Sequence, residues 1–114
     1  MSETPYQYLA ICNTEDIPVG ERLLLDINDV PVVVFNIGGN FYAMEDVCTH
    51  DKGPLGEGEL EGFEIVCPRH GARFDVRTGR VLCPPAAVDD VIYPVILDGN
   101  AVKIGFPDLK KGVS

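Results

Sequence analysis

Both histidines of this 114-residue chain stand just beyond a cysteine in turn-rich segments, Cys48-Thr49-His50 and Cys67-Pro68-Arg69-His70. Each segment offers one soft thiolate and one borderline imidazole. Together they supply two sulfurs and two nitrogens, a donor set suited to zinc or to an iron–sulfur centre. A fold that uses all four side chains must bring two separate loops to one tip, and ligation there would tie those loops together only in the folded state.

Zinc fingers usually pair two cysteines at short spacing and finish with paired histidines. Here each half is mixed instead. A mixed half suits a two-iron cluster in which one iron takes both thiolates and the other both imidazoles. On these residues, Cys48-Thr49-His50 with Cys67-Pro68-Arg69-His70-Gly71 resembles the paired boxes of Rieske proteins. The resemblance implies one Rieske-type 2Fe-2S cluster held by Cys48, His50, Cys67 and His70. A structural zinc site is the competing reading of the same donors.

The length suits a single domain, 1–114, with one core and little surplus for long excursions. No apolar run approaches bilayer length, and Met1-Ser2-Glu3-Thr4-Pro5 lacks the basic and apolar regions of a secretory signal, so a cytoplasmic location is expected. In a reducing compartment Cys12 and Cys83 read as buried, small apolar residues rather than as a disulfide. Eighteen acidic against nine basic residues give a formal charge of -9. Such a surface repels nucleic acid and anionic lipid and favours a basic patch on a protein partner.

Alternation predicts a first strand from Tyr6 to Cys12, with Tyr6, Tyr8, Ala10 and Cys12 on one face and Leu9 and Ile11 on the other. Arg22 to Ile27 resumes an extended pattern after a loop punctuated by Pro18 and Gly20. Asn28-Asp29 is a turn before Pro31, which suits a strand edge. Val32-Val33-Val34-Phe35-Asn36-Ile37, Gly38-Gly39-Asn40 and Phe41-Tyr42-Ala43-Met44 carry a hairpin signature that delivers the chain to Cys48.

Between the boxes, Asp51 to Gly62 holds four glycines and a proline and reads as a folded-back connection. Phe63-Glu64-Ile65-Val66 leads into the second box. Arg73-Phe74-Asp75-Val76 and Val81-Leu82-Cys83 form a further hairpin, on which Arg73, Arg77 and Arg80 read as a solvated face. Val91 to Leu97 and Ala101 to Phe106 form a last hairpin, followed by a frayed tail at Lys110 to Ser114. Short strands without an amphipathic helix predict an all-β antiparallel sandwich or small barrel.

The family resemblance adds a smaller cluster-binding subdomain over about 44–84 and a third loop, Pro84-Pro85-Ala86-Ala87, covering the cluster. Rieske subunits of respiratory and photosynthetic complexes carry a disulfide between the loops; this chain has Gly53 and Arg69 at the corresponding places. They also place a serine and a tyrosine after the second box, with hydroxyls bonded to cluster or ligand sulfur, where this chain has Ala72 and Phe74. Fewer donors to electron-rich sulfur imply a reduction potential at the low end of the Rieske range. Lys52 and Arg69 flank the ligands and are candidate partner contacts.

With both histidines committed as ligands, no catalytic triad or dyad remains, so no catalytic residue is expected. The resemblance implies a ferredoxin component of a multicomponent dioxygenase. Such a protein is a monomeric carrier of single electrons from an NAD(P)H-dependent flavoprotein reductase to a terminal, aromatic ring-hydroxylating oxygenase. Rival readings are the small subunit of an assimilatory nitrite reductase, or a zinc or iron-sensing module.

Overall fold

The computed structural model describes residues 6–48, 53–68, 71–84 and 88–107. Its strands in chain order are β1 (Tyr6–Asn13), β2 (Arg22–Ile27), β3 (Val30–Ile37), β4 (Asn40–Glu45), β5 (Glu59–Glu61), β6 (Glu64–Val66), β7 (Arg73–Asp75), β8 (Val81–Cys83), β9 (Ile92–Tyr93), β10 (Val95–Asp98) and β11 (Ala101–Pro107). They form three antiparallel sheets with orders β1-β11-β10, β2-β3-β4-β9 and β5-β6-β7-β8. The all-β antiparallel expectation holds. Among the described residues no helix is long and apolar enough to cross a membrane.

Strand β3 explains the layering. Successive side chains of a strand point to opposite faces, and in β3 both faces are covered: Val32, Val33, Val34 and Phe35 are all fully buried. Val32 and Val34 join Ile17, Ala43 and Ile104 in a basal core. Val33 and Phe35 join Met44, Cys48, Leu55, Ile65, Cys67, Ala72, Phe74 and Val76 in a second core. One sheet thus serves two cores, and a β-branched, nearly uninterrupted apolar run is what such a doubly buried strand requires.

Turn chemistry fixes the register around it. Asn28 and Asp29 adopt positive φ, 53° and 68°, in the two-residue loop between paired Ile27 and Val30. Gly38 and Gly39 do the same between paired Ile37 and Asn40. Both are hairpin turns whose twist matches that of the flanking strands. Buried Asn36 donates to the Ile17 carbonyl at 2.7 Å and accepts from the Gly39 N–H at 2.9 Å, so its polar groups are satisfied.

Several expectations need correction. The segment read as a pure connection ends in a strand, β5, whose Leu60 pairs with Ile65; acidic residues at Glu59 and Glu61 mask the pattern because β5 is an exposed edge. Val91 to Leu97 is not one strand. It splits at Pro94 into β9, paired with β4, and β10, paired with β11, since proline breaks the ladder and lets the chain change sheets. Pro31 lies near the start of β3, an interior strand and not an edge.

In β1 the register shifts between Ala10 and Cys12. This bulge turns Cys12 inward to the basal core. Cys12 and Cys83 are half-buried free thiols, not fully buried ones. Burial, with Asp16 adding to it, raises the Cys12 thiol above its ordinary value. Pro85, Ala86 and Ala87 of the expected third loop and the expected tail at Lys110 to Ser114 lie outside the described residues.

Candidate metal centre

The first box leaves β4 through Asp46 and Val47, and the second leaves β6 directly at Cys67. Both boxes close with the same device. The Cys48 N–H donates to the Gly53 carbonyl at 2.7 Å, and the Cys67 N–H donates to the Ala72 carbonyl at 2.7 Å. In each, the acceptor is the fifth residue on, so each cysteine backbone is pinned to the far side of its own loop. In the second box the Gly71 N–H also returns to the Cys67 carbonyl at 3.0 Å. Gly71 has φ +79°, a conformation that glycine adopts without a Cβ penalty.

Two cysteines from separate loops therefore end in one buried core. Cys48 is 0% exposed and Cys67 1%. Ala72 and Phe74, where a hydroxyl-bearing pair was the alternative, are fully buried in the same core. They bring no hydroxyl to it. His50 and His70 lie outside the described residues, as do Lys52 and Arg69.

The stretch between the boxes is gripped from beneath. Asp46 Oδ1 accepts from the Leu55 N–H at 2.8 Å and from the Gly56 N–H at 2.5 Å. Arg22, on β2, donates to the carbonyls of Gly56 and of Gly58, the latter at 2.6 Å. Its guanidinium lies 5.4 Å from the centre of the Phe35 ring, within cation–π range. Sequence reading missed Arg22 and Asp46 as elements of the site.

The arginines expected as a solvated face are in part engaged. Arg73 pairs with Glu61 at 2.8 Å and Glu64 at 3.1 Å, linking β7 to β5 and β6. Arg77 holds both oxygens of Asp75 at 3.0 and 2.9 Å and stacks 4.2 Å over Phe63. Its hydrogen bond is the main cause of an Asp75 carboxyl held below its ordinary value. Arg80 is exposed, as expected.

Among the described residues Asp90 is the one buried carboxylate, 7% exposed, and its Oδ2 has no hydrogen-bond partner there. Burial, reinforced by Glu45 and Asp46 and opposed by the Val91 N–H, pushes it up to about 8.

Two buried thiols on loops closed by matching hydrogen bonds fit the sulfur half of the predicted donor set. Residues 7–97 match the family model of the Rieske [2Fe-2S] domain. The chain belongs to the Rieske [2Fe-2S] family. The competing zinc reading falls with that match, and the cofactor is one Rieske-type 2Fe-2S cluster.

Within the Rieske family, the chain is 41% identical over 98 residues to the 3-phenylpropionate/cinnamic acid dioxygenase ferredoxin subunit of Escherichia coli (strain K12). That match covers 85% of this chain and 92% of the relative. The ferredoxin subunit of the same name from Shigella boydii serotype 4 matches at the same identity and coverage. Among solved structures, the ferredoxin of carbazole 1,9a-dioxygenase from Nocardioides aromaticivorans IC177 superposes with a TM-score of 0.80 at 28% identity, covering 85% of this chain and 95% of that one. The Sphingomonas yanoikuyae B1 ferredoxin gives 0.81 at 28%, covering 89% and 100%. With relatives matched over nearly their whole length, this Rieske protein is an electron-carrying ferredoxin and not a catalytic oxygenase subunit.

Proposed function

We propose that the protein passes single electrons from an NAD(P)H-dependent flavoprotein reductase to a terminal, aromatic ring-hydroxylating oxygenase. Cys48, His50, Cys67 and His70 are the cluster ligands in this reading. One observation carries it most: Cys48 and Cys67 enter the same apolar core from two loops closed alike. Further support comes from a carbazole 1,9a-dioxygenase ferredoxin, 34% identical with a TM-score of 0.79, which is known in complex with its oxygenase.

When bound, the cluster accepts and releases one electron. The chain supplies the rest. Cys48 and Cys67 would hold the sulfur side of the site in a water-excluded core, where burial and hydrogen bonds to sulfur set the potential. His50 and His70 would supply the two imidazole ligands, and a partner docks and leaves to exchange the electron.

The architecture in this reading is one domain, 1–114, with sheet β5-β6-β7-β8 and its flanking boxes forming a cluster-binding subdomain over about 44–84. Its working form is a cytoplasmic monomer, because a shuttle must dock and release quickly. The test is stopped-flow reduction by a flavoprotein reductase, then reoxidation by a terminal oxygenase under oxygen and aromatic substrate. Single-electron stoichiometry in both half-reactions is expected. Reduction without any reoxidation by oxygenases of this class would overturn the proposed partner.

A further inference from the structure

The stretch from Gly53 to Gly58 touches both boxes. Gly53 takes the Cys48 N–H, Leu55 is fully buried in the core shared by Cys48 and Cys67, and Gly58 presses on Val66, the last residue of β6 and the one before Cys67. A Cβ on Gly56 would stand 2.9 Å from the Val33 Cβ, so the Gly56 backbone lies close against β3. Two side chains grip that residue from both sides: Asp46 takes the Gly56 N–H and Arg22 its carbonyl. Each side chain also takes a neighbour, Leu55 for Asp46 and Gly58 for Arg22.

Among the described residues Arg22 has no carboxylate partner in an ion pair. Its half-buried charge is given instead to two backbone carbonyls and the Phe35 ring. A planar guanidinium donates in fixed directions and so fixes the relative placement of the two acceptors. Asp46 stands two residues before Cys48, so a clamp at Gly56 is felt at the first ligand with little slack.

We propose that Arg22 and Asp46 are positioning residues for the cluster, a clamp on Leu55–Gly58 that sets how far apart the two ligand loops stand. The inference rests on the ligand assignment above. Neither residue is a ligand. The clamp holds the loops in one arrangement as the charge at the site changes, and it slows cluster loss.

The experiment uses the cluster-loaded protein with Arg22→Met, Arg22→Lys, Asp46→Ala and Asp46→Asn. Asn keeps an acceptor for the two N–H groups, and Lys reaches one carbonyl in place of two. Hydrogen bonds to charged groups are strong enough that losing one is expected to raise the rate of cluster loss to a chelator about tenfold. Arg22→Met and Asp46→Ala should show this, with broadened reduced paramagnetic spectra. Asp46→Asn should restore most of the wild-type behaviour, and Arg22→Lys should fall between.

Equal loss rates in all four variants, or losses that only track global unfolding without rescue by Asn, would overturn the clamp. Amide exchange at Leu55 and Gly56, compared between Asp46→Ala and Asp46→Asn, reads the clamp whether or not a cluster is present. If wild-type protein lacked the cluster signal while exchange still quickened in Asp46→Ala alone, the ligand assignment would fail and the clamp would stand.

Discussion

Gly58 lies so close to Val66 that a Cβ at position 58 would stand 1.7 Å from the Val66 carbonyl oxygen, with Pro68 Cδ 3.2 Å away. Since Val66 and Pro68 bracket Cys67, any side chain at 58 pushes directly on the second box. Backbone has little room to retreat in a packed core. Gly58→Ala is therefore expected to cost about 1–3 kcal/mol, the range for overpacking, and to lower the yield of cluster-loaded protein. Urea unfolding and iron content measure the two effects. Wild-type values for both would mean that the loops are not packed this way.

Ala72 and Phe74 bring no hydroxyl to the core that holds both cysteines. A hydrogen bond to a sulfur that gains charge on reduction favours the reduced state. Phe74→Tyr is expected to raise the reduction potential, by roughly 60 mV if the new bond shifts the one-electron equilibrium about tenfold. Ala72→Ser should move it the same way. The wild-type protein should titrate at the low end of the Rieske range, and a value well above zero volts would contradict this.

Asp90 carries a pH signature separate from the cluster. Its carboxyl titrates at about 8 when folded, against an ordinary 3.8, chiefly because it is buried. Between those values the folded chain keeps a proton that the unfolded chain has released. Stability should thus decline as pH rises through the window, by on the order of a few kcal/mol in all, and level off above it. Asp90→Asn should flatten that decline in unfolding midpoints measured from pH 5 to 9. A slope equal to wild type would place the proton elsewhere.

The opposite sign is expected at Asp75. Arg77 holds its carboxyl below the ordinary 3.8, so that contribution is present above the ordinary value and vanishes as pH falls through the depressed one. Arg77→Ala also uncovers the Phe63 ring. Acid unfolding followed by near-ultraviolet circular dichroism should begin at a higher pH in the variant, and an unchanged midpoint would show that the pair contributes nothing.

Local patterns carried much of this fold into the sequence. The run Val32 to Ile37, the Asn28-Asp29 and Gly38-Gly39 turns and the strand into Cys67 each declare themselves over a few residues. That Cys48 and Cys67 converge is legible too, because each opens a box that pairs a thiol with an imidazole, and the two share one core.

What escaped is long-range or contrary to local pattern. Arg22 reads as one more surface charge on a strand, because nothing near it in sequence betrays that its partners are carbonyls at Gly56 and Gly58. Asp90 sits in the acidic pair Asp89-Asp90, which reads as solvated; only the packing that places it behind Gly79, whose absent Cβ would stand 2.3 Å from the Asp90 carbonyl, buries it. Pro94 signals a break, but not that the two halves join different sheets.

The most direct measurement is iron and sulfide analysis of the purified protein, together with the paramagnetic spectrum of its reduced form, in wild type and in His50→Ala, His70→Ala, Cys48→Ser and Cys67→Ser. The expected result is a red-brown protein with two irons and two sulfides per chain and a Rieske-type reduced signal, lost in each of the four variants. Zinc in place of iron, or a wild-type signal that persists unchanged once both histidines are replaced, would contradict it.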